Sequence, residues 1–211
     1  VIPAFQFYIF DLDGTLVDSA ADICGAIQGV LSKTPQNAVS DQFLRSYIGK
    51  HLNDLFNDLF PDYSPEQVDA LVNEYRTVYP ARCHANTRAY PHAVDVLSKL
   101  GGLKATATTK GEANTRIVLE QFGLLPYIDH VQGTDGFPAK PNPEVLFRAM
   151  AGLQATPRNT IFIGDSTSDM EAAKRAGIPS CAVTYGYGER AELAKWSPNY
   201  WLDDLRELLS R

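Results

Sequence analysis

Phe7-Tyr8-Ile9-Phe10-Asp11-Leu12-Asp13-Gly14-Thr15-Leu16 begins with an apolar run and ends in two carboxylates and a glycine. A short apolar run closed by such a signal reads as a buried strand. Side chains at i and i+2 point the same way in extended chain, so Asp11 and Asp13 can face one site. Gly14 lets the chain turn sharply behind them. Neighbouring carboxylates resist ionising together, which suits one ionised nucleophile beside one protonated acid. Taken alone, Asp-x-Asp-Gly after an apolar run is also how an ordinary surface turn is spelled.

Downstream of this strand the period changes. From Ser19 to about Ala85 the pattern is helical, with Ile23, Ile27, Val30 and Leu31 on one face. Ser64-Pro65-Glu66-Gln67 spells a helix start, with Ser as cap, Pro at the first position and Gln closing a capping box. No strand is expected in this stretch. After Tyr90-Pro91, helices and strands alternate: a helix over 91–100, a strand over 105–108, a helix over 112–122 and a strand near 130–132. A helix capped by Asn142-Pro143-Glu144 follows, then a strand over 160–163, a short helix ending at Gly177, and a last core strand at Cys181-Ala182-Val183. Such alternation predicts a mostly parallel sheet with right-handed crossovers. The expected fold is α/β: a three-layer Rossmann-like core over 1–16 and 86–211, with an α-helical cap domain inserted at 17–85. The linkers near 16–19 and 85–90 are expected to act as hinges. An insertion after the first strand sits over its carboxyl end, where open α/β sheets bind ligands.

Three more polar clusters end predicted strands or precede capped helices. Gly164-Asp165-Ser166-Thr167-Ser168-Asp169 carries two carboxylates four residues apart, a spacing that can help hold Mg²⁺; its plainer reading is helix capping. Lys140, before Pro141-Asn142-Pro143, can neutralise a phosphate, or can be a solvated loop lysine. Thr108-Thr109-Lys110-Gly111 can form a phosphate nest from a hydroxyl and backbone N–H groups, or an ordinary capped turn.

Taken together and in this order, the four clusters resemble the haloacid dehalogenase superfamily, specifically its phosphatases with a helical cap after the first motif. The resemblance covers essentially the whole chain. It implies Mg²⁺-dependent hydrolysis of a small phosphorylated metabolite. Asp11 would be the nucleophile that becomes an aspartyl-phosphate, and Asp13 the acid and then the base. Thr108 and the Thr109 N–H would hold phosphoryl oxygens, and Lys140 would neutralise charge. Asp11, Asp13 (through its carbonyl) and Asp165 would hold the metal, and Asp169 would orient Lys140 or a metal-bound water. Family dehalogenases lack the second Asp of the first motif, so Asp13 disfavours dehalogenation. Sugar phosphomutases of similar architecture usually carry an arginine three residues after a cap glycine; here Gly49 is followed at that distance by Leu52. The second motif is often Thr-Asn-Lys and is Thr108-Thr109-Lys110 here. Arg45 before Gly49, Tyr90-Pro91, Lys140-Pro141-x-Pro143 and the run 184–188 are similar to the subfamily acting on 2-phosphoglycolate. Arg45 and Lys50 are the cap candidates for reading a substrate carboxylate or second anion. The alternatives are another small substrate (pyrophosphate, a nucleotide or a sugar phosphate), a sugar phosphomutase, and a non-catalytic binding module.

Composition sets the outer limits. The 211 residues are 45% hydrophobic and 21% charged, as in soluble globular chains, and the net charge of −6 argues against a nucleic-acid partner. No stretch reaches the length of a membrane span, and Val1–Phe10 lacks the basic region of a signal peptide. Cys24, Cys83 and Cys181 form no CxxC pair, so zinc is not expected and a reduced cytoplasmic setting is. Cys24 reads as a small buried hydrophobe. His51, His84 and Arg88 read as exposed, and Tyr200-Trp201-Leu202 as packed on the core. The expected state is a monomer or homodimer.

Overall fold

In the computed structural model, which describes residues 2–37, 39–82 and 84–210, the first apolar run is strand β1 (Phe7–Phe10). The other strands are β2 (Val17–Asp18), β3 (Arg88–Ala89), β4 (Leu103–Thr106), β5 (Thr160–Gly164), β6 (Ser180–Val183) and β7 (Tyr200–Leu202). The helices are α1 (Ala20–Leu31), α2 (Asp41–Arg45), α3 (Leu52–Leu59), α4 (Pro65–Ala81), α5 (Ala93–Lys99), α6 (Glu112–Gln121), α7 (Glu144–Leu153), α8 (Thr167–Ala176) and α9 (Arg190–Ala194). Five strands form one parallel sheet in the order β4-β1-β5-β6-β7, with Ile9 opposite both Ala105 and Phe162.

Alternation along the strands builds the three layers. Tyr8 and Phe10 of β1, with Ile161 and Ile163 of β5, pack against Val96, Leu97, Val118 and Leu119 of α5 and α6. Ile9 and Phe162 face the other way, onto Val145, Leu146, Ala149, Ala172 and Ala173 of α7 and α8. The helices between β2 and β3 hold a separate apolar cluster that includes Ile27, Leu31, Leu44, Phe56, Val68 and Val72. Burial of each such large side chain contributes roughly 1.5–3 kcal/mol. Helix α4 starts as its sequence spells: Gln67 Oε1 accepts from the Ser64 N–H at 2.8 Å, and Ser64 Oγ accepts from the Gln67 N–H.

Four features differ from the sequence expectation or were absent from it. Residues 130–132 make no full strand: beyond a bridge between Ala105 and His130, the Gln132 N–H donates to the Thr106 side-chain oxygen at 2.9 Å, so a hydroxyl interrupts the ladder. Cys181-Ala182-Val183 is not the last core strand, because Tyr200, Trp201 and Leu202 pair with these residues in parallel to make the sheet edge β7. The strand expected over 105–108 begins earlier, at Leu103, and ends at Thr106. The two linkers pair with each other as an antiparallel ribbon, Val17 opposite Ala89 and Asp18 opposite Arg88. Beside the ribbon, fully buried Asp22 accepts from the Asn86 N–H at 2.9 Å, Asn86 Nδ2 at 3.1 Å, Thr87 Oγ1 at 2.8 Å and Arg82 Nε at 3.3 Å. Cys24 is buried as expected, and Cys83 lies outside the described residues. Among the described residues no helix is long and apolar enough to cross a membrane.

Candidate active site

The carboxyl ends of β1 and β5 bring the carboxylates together. Asp11 continues β1, its N–H donating to the Ile163 carbonyl at 2.8 Å. The chain then turns at Gly14, where φ is +93° and an added Cβ would stand 2.2 Å from Asp165 Oδ2. Only glycine meets both conditions, because other residues are strained at such φ and there is no room for a side-chain carbon. Gly186 approaches Asp165 from another side, where a Cβ would come within 2.3 Å of the Asp165 Cβ. Asp165 Oδ2 accepts from the Tyr187 N–H at 2.7 Å.

Asp169 both caps its own helix and contacts Lys140. Its Oδ2 accepts from the Ser166 N–H at 2.9 Å, Ser166 Oγ at 2.7 Å and the Asp165 N–H at 3.2 Å, forming a capping box at the start of α8. Its Oδ1 accepts from Lys140 Nζ at 2.6 Å. Lys140 Nζ also donates to Asp11 Oδ1 at 2.8 Å and to the Ala107 carbonyl at 3.0 Å, so all three ammonium hydrogens have acceptors. Lys140, expected as either a phosphate partner or a solvated loop residue, is fully buried among carboxylates.

One ammonium therefore faces three buried carboxylates. Asp11, Asp165 and Asp169 each offer an oxygen, and these oxygens lie within 4.8 Å of one another. Burial pushes Asp11 up to about 7, against the pull of Lys140, with Asp169 and Asp13 adding to the rise. Burial likewise holds Asp165 well above the usual carboxylate range, reinforced by the charges of Asp169 and Asp11. Burial alone would lower Lys140, but Asp11 and Asp169 more than reverse it and hold it above an ordinary lysine. An all-oxygen donor set with surplus negative charge fits a hard divalent cation. Asp169 turns one oxygen to Lys140 and the other to three donors at its own helix start. Asp11 gives one oxygen to Lys140, and Asp165 accepts from Thr15 Oγ1 at 3.4 Å and the Tyr187 N–H at 2.7 Å. Asp11 and Asp165 therefore keep the lone pairs that could hold such an ion.

Thr108 is buried, and its Oγ1 accepts from the Lys110 N–H at 3.2 Å, closing the turn that follows β4. Asp13 Oδ1 accepts from Ser19 Oγ at 2.6 Å, and its Oδ2 is 3.3 Å from Lys110 Nζ. In the sequence Lys110 reads only as part of a turn. Burial alone would lower its ammonium, but Asp13, Tyr79 and Tyr75 hold it above the ordinary range.

A cavity of about 510 Å³ lies between this turn and the inserted helices, lined by Asp13, Thr109 and Lys110 on one side. Ile23, Ile27, Leu52, Leu55, Val72 and Tyr75 supply an apolar wall, and Lys50, His51 and Arg76 add cationic or polar edges. Asp11, Thr108, Lys140 and Asp165 do not line it. Of the two cap candidates, Lys50 reaches the cavity. Arg45 does not, because it stays on the exposed face of α2, paired with Asp41 at 2.6 Å. Arg76, which the sequence reading passed over, does reach it. His84 is buried rather than exposed: a left-handed residue (φ 52°) after α4 brings its Nδ1 to 3.4 Å from Tyr79 Oη.

The family model described as haloacid dehalogenase-like hydrolase matches residues 8–183. The chain belongs to the haloacid dehalogenase-like hydrolase family. It is 33% identical to phosphoglycolate phosphatase 1 of Pseudomonas aeruginosa over 97% of this chain and 78% of that protein. It is also 33% identical to the phosphoglycolate phosphatase of Vibrio parahaemolyticus, over 95% of this chain and 92% of that one. A haloacid dehalogenase-like family hydrolase from Streptococcus pneumoniae superposes with a TM-score of 0.89 at 27% identity, covering 98% and 97% of the two chains. Within the family, the chain is an enzyme of the phosphatase type.

Proposed function

We propose that the chain hydrolyses a small phosphomonoester, 2-phosphoglycolate first among candidates, with Mg²⁺ and through an aspartyl-phosphate on Asp11. The observation that carries the reading is the Lys140 ammonium shared between Asp11 and Asp169, with Asp13 two residues from Asp11 and facing the cavity. A carboxylate held by a buried cation at a strand end is a positioned nucleophile, and phosphoryl transfer needs mainly positioning and charge stabilisation.

In the first half, an Asp11 oxygen bonds to phosphorus while the bond to the leaving oxygen breaks. Asp13 gives its proton to that oxygen. In the second half, water bonds to phosphorus, Asp13 takes its proton, and the bond to Asp11 breaks to release phosphate. Lys140 neutralises Asp11 and the incoming phosphoryl group, and Asp169 holds Lys140. The Thr108 hydroxyl and Thr109 N–H hold phosphoryl oxygens. Asp11 and Asp165 side chains with the Asp13 carbonyl would hold Mg²⁺, which when bound offsets repulsion between the nucleophile and an anionic phosphate. The inserted helices exclude water during the first half and admit it for the second.

The names of the curated relatives support 2-phosphoglycolate, and Lys50 at the cavity offers a cation for its carboxylate. Leu52 lines the cavity where mutases of this architecture carry arginine, which counts against the mutase reading. The test is Mg²⁺-dependent phosphate release from 2-phosphoglycolate, pyrophosphate, nucleotides and hexose phosphates, for wild type and Asp11→Asn. Release abolished by the substitution, with 2-phosphoglycolate ranked first, is expected. Another member ranked first would replace the substrate, and no release from any member would overturn the hydrolytic reading.

A further inference from the structure

Lys110 is a buried ammonium that the reaction scheme leaves unused. Its side chain is 9% exposed, and its Nζ stands 3.3 Å from Asp13 Oδ2. The same Nζ donates to Tyr79 Oη at 2.9 Å and lies 4.3 Å from the centre of the Tyr79 ring. Asp13 is therefore gripped at both oxygens, since Ser19 Oγ donates to Oδ1 at 2.6 Å. The two partners come from different places: Ser19, which donates, precedes α1, and Lys110, which pairs by charge, belongs to the turn after β4. Tyr79 belongs to the last turn of α4, at the opposite end of the inserted segment. Burying a lysine is unfavourable unless its charge and hydrogens are matched. The match here is one carboxylate, a phenol oxygen and an aromatic face, the last a favourable seat for a cation.

We propose that Lys110 is a positioning residue for Asp13, and that Tyr79 fixes Lys110, so that the inserted helices govern where the acid–base carboxylate sits. The inference rests on the assignment of Asp13 as the proton carrier. When Asp13 gives its proton to the leaving oxygen it becomes a carboxylate, and Lys110 is the cation already facing it. The same carboxylate must then point at the hydrolytic water and receive its proton. Lys110 keeps its own protons throughout. It supplies charge and aim, and both depend on a tyrosine carried by the moving part of the proposed cycle.

The test exploits leaving groups. An aryl phosphate such as 4-nitrophenyl phosphate expels a stable anion and needs little help from an acid, whereas glycerol phosphate, an alkyl ester without a carboxylate, needs full protonation. Values of kcat/KM are measured with Mg²⁺ on the whole chain for wild type, Lys110→Met, Tyr79→Phe and Asp13→Asn. Lys110→Met is expected to lose about 100-fold on glycerol phosphate, within the range of general acid catalysis, and less than about fivefold on the aryl ester. Tyr79→Phe keeps the ring and the packing, so it folds even if the lysine variant does not; it is expected to show the same selectivity at about one tenth the size. Equal losses on both esters would overturn the proposal in favour of a structural strut. With 2-phosphoglycolate measured alongside, a loss on it that neither ester shows would overturn the proposal in favour of direct binding of a substrate carboxylate. Asp13→Asn is the control: if it shows no leaving-group selectivity, the assignment of Asp13 has failed, and this proposal fails with it.

Discussion

Replacing Lys140 with methionine keeps most of the side-chain length and removes the ammonium bonded to both Asp11 and Asp169. The two contacts are 2.8 and 2.6 Å long and wholly buried. At an effective dielectric of about 20, each is a gross attraction of roughly 6 kcal/mol. Desolvation of the ions offsets much of this, and breaking a buried pair by removing one partner costs about 3–5 kcal/mol net. For a chain of this size each kcal/mol moves Tm by about 2–4 °C, so Lys140→Met is expected to lower Tm by about 6–20 °C. The assay is thermal unfolding in chelator. The loss should also grow with pH. Asp11 stands at about 7 in the fold against 3.8 ordinarily, so the metal-free native state binds more protons than the unfolded chain. Stability from that group is therefore full below about 4 and is lost as pH rises towards 7. Without Lys140 the upper edge of that window moves higher still. Adding Mg²⁺ should restore part of the loss by returning positive charge to the cluster. A Tm change under about 3 °C in chelator, the same at low and high pH, would refute the claim that Lys140 balances the cluster.

Because Asp11 and Asp165 are both raised by burial, Mg²⁺ must displace protons to bind. Its affinity should climb between about pH 6 and 8, and calorimetry in buffers of different ionisation enthalpy should detect proton release; a flat profile would count against these two carboxylates as ligands. Asp22→Ala strands the buried Thr87 hydroxyl and the Asn86 donors and should cost about 2–4 kcal/mol in urea unfolding while leaving kcat of the folded fraction unchanged. Lys50→Ala should raise KM for 2-phosphoglycolate several-fold, whereas Arg45→Ala should leave kcat/KM within about twofold, since an exposed i,i+4 pair contributes little. Equal effects of the two substitutions would contradict their placement.

The parts of the site that could be read from the sequence share one trait. Asp11 and Asp165 each follow an apolar run and Thr108 ends a strand predicted from the alternation, so the strand pattern locates all three. Lys140 was flagged by the strong helix start after it. Lys110 carries no such signal in the sequence, because it is the packing of α4 over its turn that aims it at Asp13. His84 was misread for a similar reason: its burial depends on a single left-handed residue. Arg45 did carry a warning, since Asp41 stands four residues before it and such pairs close on one helix face. The strands β2, β3 and β7 escaped because two or three residues are too few to show a period. Asp169 divides its two oxygens: one starts a helix, as the capping reading of its sequence has it, and the other holds a lysine.

The ribbon of β2 and β3 also has a meaning for how such enzymes can be rebuilt. Val17 and Ala89 face each other, so the segment between them leaves the core and returns at a single point. In topological terms it is a closed loop fastened by one clasp, and the core on either side is continuous without it. Grafting a different helical segment between the same two residues would keep the ends of the graft in register, with the clasp already supplying the closure that a free loop would have to find by chance. The carboxylate cluster and Lys140 would stay with the core, while the apolar wall and Lys50 would go with the graft. Substrate choice would thus be transferable as a cassette, and Ser19 and Tyr79 are cassette residues whose loss would reach back to Asp13.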